Sequence, residues 1–258
     1  MGLAQLAGPE PWALTGATPF AASQWAARAV NPVAARVNPY LGISTAAAIT
    51  DRVLVSFSGG KDSVCTLDLC SRYFKRVQPF FMQLGPVLSF QEAQLKWAED
   101  KYGVPVLRLP HPMLSEWLRY GVFRGQPDFY VPMLSFLDLY SYARIQSGIW
   151  WIAAGERIND SIIRRAMIKS GGGSVNQKRG RFFPVAYWGK QDVLTYIRQR
   201  RLKVAPESAI LGFSFRSMMP GDMAAIKHHF PHDFARIQEW FPLVGASAAK
   251  HEFSQVEA

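Results

Sequence analysis

The hydrophobic pattern of the chain changes close to residue 51. Residues 1–50 contain 14 alanines, a single acidic residue and several prolines, which interrupt any long helix. We expect this segment to be an Ala/Pro-rich N-terminal extension that is loose or packs over the domain, with short helical turns. Its acid-poor composition is also typical of an organelle transit peptide, and that alternative stays open.

From residue 51 onwards, short apolar runs alternate with stretches of helical spacing. Four runs are predicted to be buried strands: Arg52–Phe57, Val77–Leu84, Val104–Leu109 and Ile149–Ala154. Four stretches are predicted to be helices: Val64–Phe74, Phe90–Tyr102, Leu134–Ser147 and Asp192–Arg201. This alternation predicts an α/β fold with a Rossmann-like, doubly wound and mainly parallel sheet over residues 51–240.

Two further regions lack this alternation. Prolines between residues 110 and 132 predict a loop-rich middle. The chain from Pro220 onwards is predicted to be helical, with a polar tail over residues 241–258. We therefore expect three parts: the extension, the α/β domain with its helical C-terminal part, and the tail.

Positive charge is concentrated in one part of the chain. The whole sequence has 29 Lys and Arg against 19 Asp and Glu, a net charge of +10. Residues 157–203 hold 12 of the basic residues and only 2 acidic ones. A local excess of this kind predicts an anionic partner, either a phosphorylated small molecule or a nucleic acid, or another acidic partner. A merely solvated surface is the alternative.

Cysteine content and hydropathy exclude several protein classes. The two cysteines, Cys65 and Cys70, cannot form a disulfide scaffold or supply four ligands to an iron–sulfur cluster. They fit a reducing cytoplasm, where we expect the protein to reside. No apolar run approaches the roughly 20 residues that cross a bilayer, so we expect no membrane partner.

The strongest chemical signal is the sequence SGGKDS, Ser58–Ser63, between a predicted strand and a predicted helix. Gly59 and Gly60 permit backbone conformations with positive φ and bring the main chain close to a ligand. The amides then lie at a helix N-terminus, where the helix dipole favours an anion. Ser58 and Ser63 add hydroxyl donors and Lys61 adds a charge. The segment differs from a Walker A loop, which needs G-x-x-x-x-G-K-[ST].

This segment resembles the PP-loop of the adenine nucleotide alpha-hydrolase superfamily and, within it, the phosphoadenosine phosphosulfate (PAPS) reductase family. Two further stretches carry the resemblance: GERINDSIIRR over residues 155–165 and FPVAYWGKQDV over residues 183–193. The likeness covers roughly residues 51–240. It implies an adenine nucleotide alpha-hydrolase fold and an adenine nucleotide, ATP or PAPS, as the ligand.

The resemblance also implies roles for individual residues. The phosphates would be held by Ser58, Gly59, Gly60, Lys61, Asp62 and Ser63. The anionic end of the nucleotide or substrate would meet Arg157, Ser161, Arg164 and Arg165. Lys61, Asp62 and Arg157 would be catalytic, and Asp62 would be a ligand of Mg²⁺. From the residues alone, Arg157 and Arg164 have a second interpretation as surface ion pairs with Glu156 or Asp160.

One departure from the family bears on the reaction. The thiol-dependent reductases carry a cysteine near the C-terminus, and none occurs there in this chain. Cys65 and Cys70 are better interpreted as core residues than as reactive thiols. Some relatives place paired cysteines in the region of Ser214–Met219, and none occurs there either. We therefore predict no iron–sulfur cluster and argue against sulfonucleotide reduction by the usual route.

Three functions remain open. The first is an enzyme that cleaves ATP between the α and β phosphates to adenylate a substrate. The second is a PAPS reductase that uses the thiol of a partner. The third is a non-catalytic nucleotide-binding or assembly protein. A homo-oligomer is compatible with each of them.

Overall fold

A computed structural model describes residues 40–212, 214–215 and 217–256. Most of the predicted N-terminal extension, residues 1–39, lies outside this range. Helix α1 (Leu41–Ala47) falls within the predicted extension and packs against the domain. Its Ile43 and Ala46 are fully buried in the main hydrophobic core. The packed unit therefore begins before residue 51.

A six-stranded sheet forms the centre of the molecule. Its strands are β1 (Arg52–Ser56), β2 (Arg76–Gln83), β3 (Leu107–Pro110), β4 (Ile152–Ala153), β5 (Val175–Asn176) and β6 (Arg181–Phe182). Their order is β3-β2-β1-β4-β6-β5, and every neighbouring pair is parallel except β5 and β6. This arrangement confirms the predicted α/β fold with a doubly wound, mainly parallel sheet.

The central strand is apolar because both of its faces are covered. Val53, Leu54 and Val55 of β1 are fully buried. Val53 and Val55 belong to the core on one side of the sheet, and Leu54 belongs to the core on the other. A short run of β-branched and aliphatic residues is what such a strand requires.

Helices cover both faces of the sheet, and several agree with the predicted ones. They are α2 (Lys61–Tyr73), α3 (Ser89–Tyr102), α4 (Pro112–Tyr120), α5 (Phe136–Ser147), α6 (Ile162–Ser170), α7 (Lys190–Arg200) and α8 (Glu207–Leu211). The prediction of a loop-rich middle is wrong over α4. Pro112 is the first residue of that helix, where proline starts a helix rather than breaking it. The His111 side chain caps α4 by accepting a hydrogen bond from the Met113 amide at 3.1 Å.

The C-terminal part is helical, as predicted, but the helical part extends into the predicted tail. It consists of α9 (Pro220–His229), α10 (Pro231–Trp240) and α11 (Val244–Val256). Val244 and Ala248 of α11 are fully buried, so much of the predicted polar tail is a packed helix. Asp233 ties this part to the sheet domain, because its carboxylate accepts hydrogen bonds from the amide and hydroxyl of Ser89 at 2.7 and 2.6 Å. Within the described ranges, no helix has the length and apolar character needed to cross a bilayer.

Candidate functional site

A cavity of about 700 Å³ opens at the carboxyl edge of the sheet. The chain runs from β1 outwards to β2 and β3, and then returns to β4 on the other side of β1. Ligands of open α/β sheets bind at such a switch point. The loop after β1 supplies Ser58 and Lys61 to the cavity wall, and the loop after β4 supplies Gly155 and Asp160. The fold thus brings the two sequence motifs together.

The loop after β1 lines this cavity with Ser58 and residues 60–63, and it contains free backbone donors. Gly59 has a φ of 76°, a left-handed conformation that favours glycine. Helix α2 starts directly afterwards, and its first backbone hydrogen bond runs from the Val64 amide to the Gly60 carbonyl at 2.9 Å. In the described part of the chain, the amides of residues 59–63 have no hydrogen-bond acceptor. These unpaired amides at a helix N-terminus are suited to an anion.

Serine side chains hold the loop in this shape. The Ser63 hydroxyl accepts a hydrogen bond from the Ser58 amide at 3.2 Å and donates one to the Gly60 carbonyl at 2.9 Å. The Ser58 hydroxyl lies 3.1 Å from that of Ser63. The two serines therefore brace the loop from inside, a role that is additional to the phosphate contact predicted for them.

Two glycines are needed because other parts of the molecule approach closely. A Cβ at Gly155 would lie 3.0 Å from the Asp62 carbonyl carbon and the Ser63 nitrogen, both backbone atoms. A Cβ at Gly60 would collide with the Ser214 hydroxyl. The loop after β4 therefore packs against the first turn of α2, and Ser214, between α8 and α9, packs against Gly60.

The charged residues of the first turn are already paired. Lys61 Nζ lies 3.0 Å from Asp62 Oδ2, and Arg157 Nε lies 3.1 Å from Asp62 Oδ1. The second contact is an ion pair without hydrogen-bond alignment, so buried Asp62 Oδ1 keeps an unused acceptor position among the described residues. Asp62 thus links the two cationic residues that were predicted to be catalytic.

Asp160 organises the arginines of the second motif. It accepts hydrogen bonds from the Arg157 amide at 3.0 Å and from the Arg157 guanidinium at 2.7 Å. Its other contact is with Arg164 Nη1 at 2.9 Å. Arg157 is buried and is not one of the cavity-lining residues, whereas Arg164 is half-exposed and lines the cavity. We call Asp62, Arg157, Asp160 and Arg164 the arginine clamp.

The other two residues predicted to bind an anion have local structural contacts. Ser161 caps α6 by accepting a hydrogen bond from the Arg164 amide at 3.1 Å. Arg165 is exposed and donates from Nε to the Ile158 carbonyl at 3.2 Å. Neither side chain lines the cavity. Helix α6, which Ser161 caps and which contains Arg165, was not among the helices predicted.

Sequence reasoning missed the contribution of the segment between α8 and α9 to the site. The Ser214 hydroxyl lies 3.1 Å from that of Ser58, across 156 positions of sequence. Phe215 beside it packs edge to face on Phe90. Nothing local in the sequence indicates that Ser214 lies beside the segment Ser58–Ser63, which we call the glycine loop. This contact can be recognised only from the fold.

A buried carboxyl supports this segment. Glu207, the first residue of α8, is 1% exposed, and its buried Oε2 has no hydrogen-bond partner among the described residues. Burial raises the pKa of Glu207 from its ordinary 4.5 to about 7, although the backbone amides of Glu207 and Phe215 oppose the shift. Its neighbours Pro206 and Ser208 line the cavity. A protonation change at Glu207 is therefore placed next to the glycine loop.

The wall opposite the loop is apolar and ends in one histidine. Phe81, Met82 and Leu84 line it. His111 lines the cavity too, packed edge to face on Phe136 at 5.4 Å, and burial lowers its pKa. This wall can take a flat, uncharged ligand group, while the glycine loop takes a charged one.

Both cysteines are buried core residues, as predicted. Cys65 and Cys70 are fully buried and free. Burial, with smaller contributions from Asp62 and Asp68, raises the pKa of Cys65 to about 12, and burial also raises that of Cys70. A raised pKa keeps a thiol protonated, so neither cysteine is suited to act as a nucleophile.

Three carboxylates line the cavity, those of Asp62, Glu156 and Asp160, and the last two are paired with arginines. Within the ranges that the structure describes, no group of three or more His, Cys, Asp or Glu residues is placed to hold a metal ion. Asp62 has one buried carboxylate oxygen without a hydrogen bond. Mg²⁺ often takes one or two carboxylates and completes its shell with water and substrate phosphates. Asp62 fits that arrangement only with a phosphate ligand present.

Residues 52–206 match the family model of the phosphoadenosine phosphosulfate reductase domain. No curated protein matches the chain. Among solved structures, phosphoadenylyl-sulfate (PAPS) reductase from Candida auris, a phosphate complex, is 15% identical with a TM-score of 0.48, covering 69% of this chain and 86% of that chain.

Two other solved structures are similar. U34-tRNA thiolase NcsA from Methanococcus maripaludis, with its [4Fe-4S] cluster, is 16% identical with a TM-score of 0.43, covering 75% of this chain and 72% of that one. NH3-dependent NAD synthetase from Campylobacter jejuni subsp. jejuni NCTC 11168, in complex with nitrate, is 12% identical with a TM-score of 0.36, covering 79% and 86%. At these identities the similarity concerns the fold alone.

Proposed function

We propose a function from the family, since the chain belongs to the phosphoadenosine phosphosulfate reductase domain family. It binds an adenine nucleotide in the cavity at the carboxyl edge of the sheet and cleaves ATP between the α and β phosphates, adenylating a second substrate. The observation that carries the proposal is the row of unpaired amides over residues 59–63 at the N-terminus of α2.

The reaction is a displacement at the α-phosphorus. An oxyanion of the second substrate forms a bond to that phosphorus, and the bond from the α-phosphorus to the bridging oxygen breaks. The electron pair leaves with diphosphate. The amides of residues 59–63 and Lys61 stabilise the negative charge that grows on this leaving group. Asp62 and Arg157 position Lys61 through the ion pairs at 3.0 and 3.1 Å.

Two partners of the reaction are proposed along with it. Mg²⁺ would arrive with the nucleotide phosphates, take Asp62 as its protein ligand, and supply further charge neutralisation there. Arg164 would orient the second substrate, because it is the arginine of the clamp that lines the cavity. A cytoplasmic location, where Cys65 and Cys70 stay reduced, accompanies this proposal.

A second candidate function follows from family membership itself. The chain would then bind PAPS and present its sulfur to a thiol from another protein. The buried state and raised pKa of both cysteines favour an external thiol over one from this chain. Thioredoxin-dependent release of sulfite from PAPS is the result that would favour this candidate over adenylation.

The test combines nucleotide binding with product formation. ATP and PAPS are expected to raise the melting temperature of the wild-type protein, because a ligand of the native state stabilises it. Release of diphosphate from ATP, with sulfate or an oligonucleotide supplied as second substrate, is expected in the wild type and at least tenfold slower in Lys61→Ala. Lys190→Ala, an exposed lysine outside the cavity, is the matched control.

The outcomes separate the candidates. Binding of ATP without diphosphate release in any variant favours a non-catalytic nucleotide-binding or assembly protein. Absence of binding by ATP, AMP and PAPS alike contradicts the proposal as a whole.

A further inference from the structure

A second cavity of about 350 Å³ lies beside the β5–β6 hairpin. It is formed by the end of α6, the turn between the two strands and the start of the chain after β6. The residues that line it are Met167, Ser170, Gly171, Asn176, Lys178, Arg179, Arg181 and Phe183. Three of these lining residues are basic and none is acidic, so their formal charge is positive.

Arg181 is held firmly in the wall of this cavity. Its guanidinium carbon lies 5.2 Å from the ring centroid of Tyr140 and 5.3 Å from that of Phe183. Arg181 Nη2 pairs with Glu156 Oε1 at 3.2 Å, but the buried Nε makes no hydrogen bond within the described residues. An arginine has five N–H donors, and leaving a buried one unsatisfied is costly. Arg181 Nε therefore keeps an unused donor among the described residues, and the guanidinium places a charge in the cavity wall.

The other two cations of the cavity lack protein partners. Lys178 and Arg179 are exposed, and in the described part of the chain neither side chain forms a hydrogen bond or an ion pair. The turn that carries them is fixed, since the Arg179 amide donates to Asn176 Oδ1 at 3.1 Å and the Arg179 carbonyl accepts from Arg144 Nη2 at 2.7 Å. Two cationic side chains thus project from a braced turn.

The helix end in this cavity does not cancel the positive charge. The carbonyls of the last turn of α6 would repel an anion if they were free. The amides of Gly171, Gly172 and Gly173 donate to the carbonyls of Met167, Lys169 and Ile168 at 3.1, 3.3 and 2.9 Å. The glycine run therefore satisfies these acceptors and leaves the basic side chains to set the local potential.

The second cavity adjoins the candidate site through one ion pair. Glu156 lines the first cavity and Arg181 lines the second, and the two side chains contact each other. Helix α6 also borders both cavities, with Arg164 at the first and Ser170 at the second. These residues are six positions apart, about 9 Å along a helix axis.

We propose that the second cavity is an oxyanion subsite, the hairpin subsite, which binds a phosphate group through Lys178, Arg179 and Arg181. Arginine presents a planar fork that matches phosphate, and lysine adds a point charge. The group comes either from a small phosphate compound or from the backbone of a nucleic acid. The subsite is separate from the glycine loop and does not depend on the proposed reaction.

The test is phosphate binding by the whole chain with the two sites disabled in turn. The probe is inorganic phosphate, measured by calorimetry. Lys178→Ala/Arg179→Ala removes the hairpin subsite, and Gly59→Ala disables the glycine loop. The matched control is Lys190→Ala/Arg236→Ala, which removes the same charge from exposed positions outside both cavities.

Both double variants are measured in a protein that also carries Gly59→Ala, so that only the hairpin subsite binds phosphate. We expect phosphate binding to be at least tenfold weaker in Lys178→Ala/Arg179→Ala and unchanged in the control variant. Equal binding in both double variants would overturn the proposal. If Gly59→Ala alone left phosphate binding unchanged, the proposed phosphate site at the glycine loop would be contradicted and the hairpin subsite would not. The two proposed sites are therefore tested independently.

A second arm identifies the source of the phosphate. A single-stranded oligonucleotide is titrated at several salt concentrations, because phosphate contacts give a linear fall of log affinity with log salt. A polynucleotide ligand predicts that Lys178→Ala/Arg179→Ala lowers this slope by about one to two units. An unchanged slope together with lost binding of free phosphate assigns the subsite to a small compound.

Discussion

The glycine loop and the arginine clamp adjoin each other at Asp62, but they differ in which hydrogen-bonding groups they leave free. The loop offers backbone amides of residues 59–63 that have no acceptor in the described chain. The charged side chains of the clamp form ion pairs with one another, and Arg157 pairs with both Asp62 and Asp160. Anion binding is therefore prepared by main-chain geometry in the loop, whereas the formal charges of the clamp serve mainly to fix positions.

The comparison corrects a simple expectation about charge. Residues 157–203 carry most of the net positive charge, yet the arginine at their start is buried and paired. Counting basic residues does not show which of them can meet a ligand. Of the clamp arginines, only Arg164 lines the cavity, whereas the exposed Lys178 and Arg179 lie at the β5–β6 turn and line the second cavity.

Breaking the clamp is expected to have the largest effect. Arg157→Ala would leave Asp62 and Asp160 close together without the buried guanidinium between them. Removing one partner of a buried ion pair costs about 3–5 kcal/mol. We expect a loss of that order in the free energy of unfolding, measured by urea denaturation.

Arg108→Ala is the matched control for this prediction. Arg108 forms a two-point ion pair with Glu92 at 2.5 and 2.7 Å, but both side chains are partly exposed. Exposed pairs contribute about 0–1 kcal/mol. Equal losses in the two variants would show that the clamp does not stabilise the fold.

Glu207 extends the comparison, because its buried carboxyl forms no ion pair with an arginine among the described residues, unlike the carboxylates of the clamp. Its pKa is about 7 in the folded protein and near 4.5 when exposed. Between these values the folded protein keeps a proton that the unfolded chain has lost. The free energy of unfolding should therefore fall as pH rises from 4.5 to 7, by up to about 3 kcal/mol.

Glu207→Gln is expected to remove this pH dependence, measured as urea denaturation at pH 5 and pH 8. Glu116→Gln, at an exposed position of α4, should leave it unchanged. A wild-type protein with the same stability at both pH values would contradict this assignment.

Breaking the loop should cost ligand binding more than stability. At Gly59 (φ 76°) an alanine would be strained, and its Cβ would lie 3.0 Å from Gln94 Cγ. At Gly103 (φ 67°) the strain is similar, but nothing lies within 4 Å of the added Cβ. Both alanine variants should lose about 1–2 kcal/mol of stability.

ATP affinity should then separate these two glycines. We expect Gly59→Ala to bind ATP roughly ten- to a hundredfold more weakly, about 1.4–2.8 kcal/mol, and Gly103→Ala to bind it as the wild type does. The measurement is calorimetric titration at a temperature where both variants are folded. Equal ATP affinity in the two variants would remove Gly59 from the site.

The smallest expected effect is at Ser214. Ser214→Ala removes the hydroxyl that contacts Ser58 at 3.1 Å, and a neutral hydrogen bond contributes about 1 kcal/mol. We expect a few-fold loss of ATP affinity, whereas Ser71→Ala, whose hydroxyl donates to the Asp68 carbonyl within α2, should cause none. An unchanged ATP affinity in Ser214→Ala would show that the Ser214 hydroxyl does not contribute to ATP binding.

How much of this could be predicted depends on how local each feature is. The strand, glycine turn and helix around residue 59 are adjacent in sequence, so the spacing of apolar residues and the two glycines were enough to predict them. Helix α4 was missed because Pro112 looks like a helix breaker, although proline is favoured at a first helical position. Ser214 was missed because its contact with Ser58 spans 156 positions, and the pairing of Asp160 with two arginines depends on side-chain geometry.

The most direct test of the account is the response of the Gly59 and Gly60 amides to ligand. In protein labelled with ¹⁵N-glycine, both amide resonances can be followed by NMR during titration with diphosphate, ATP and adenosine. The account predicts that both resonances shift with diphosphate and with ATP, and that neither shifts with adenosine. Saturating ATP binding with both resonances unmoved would contradict it.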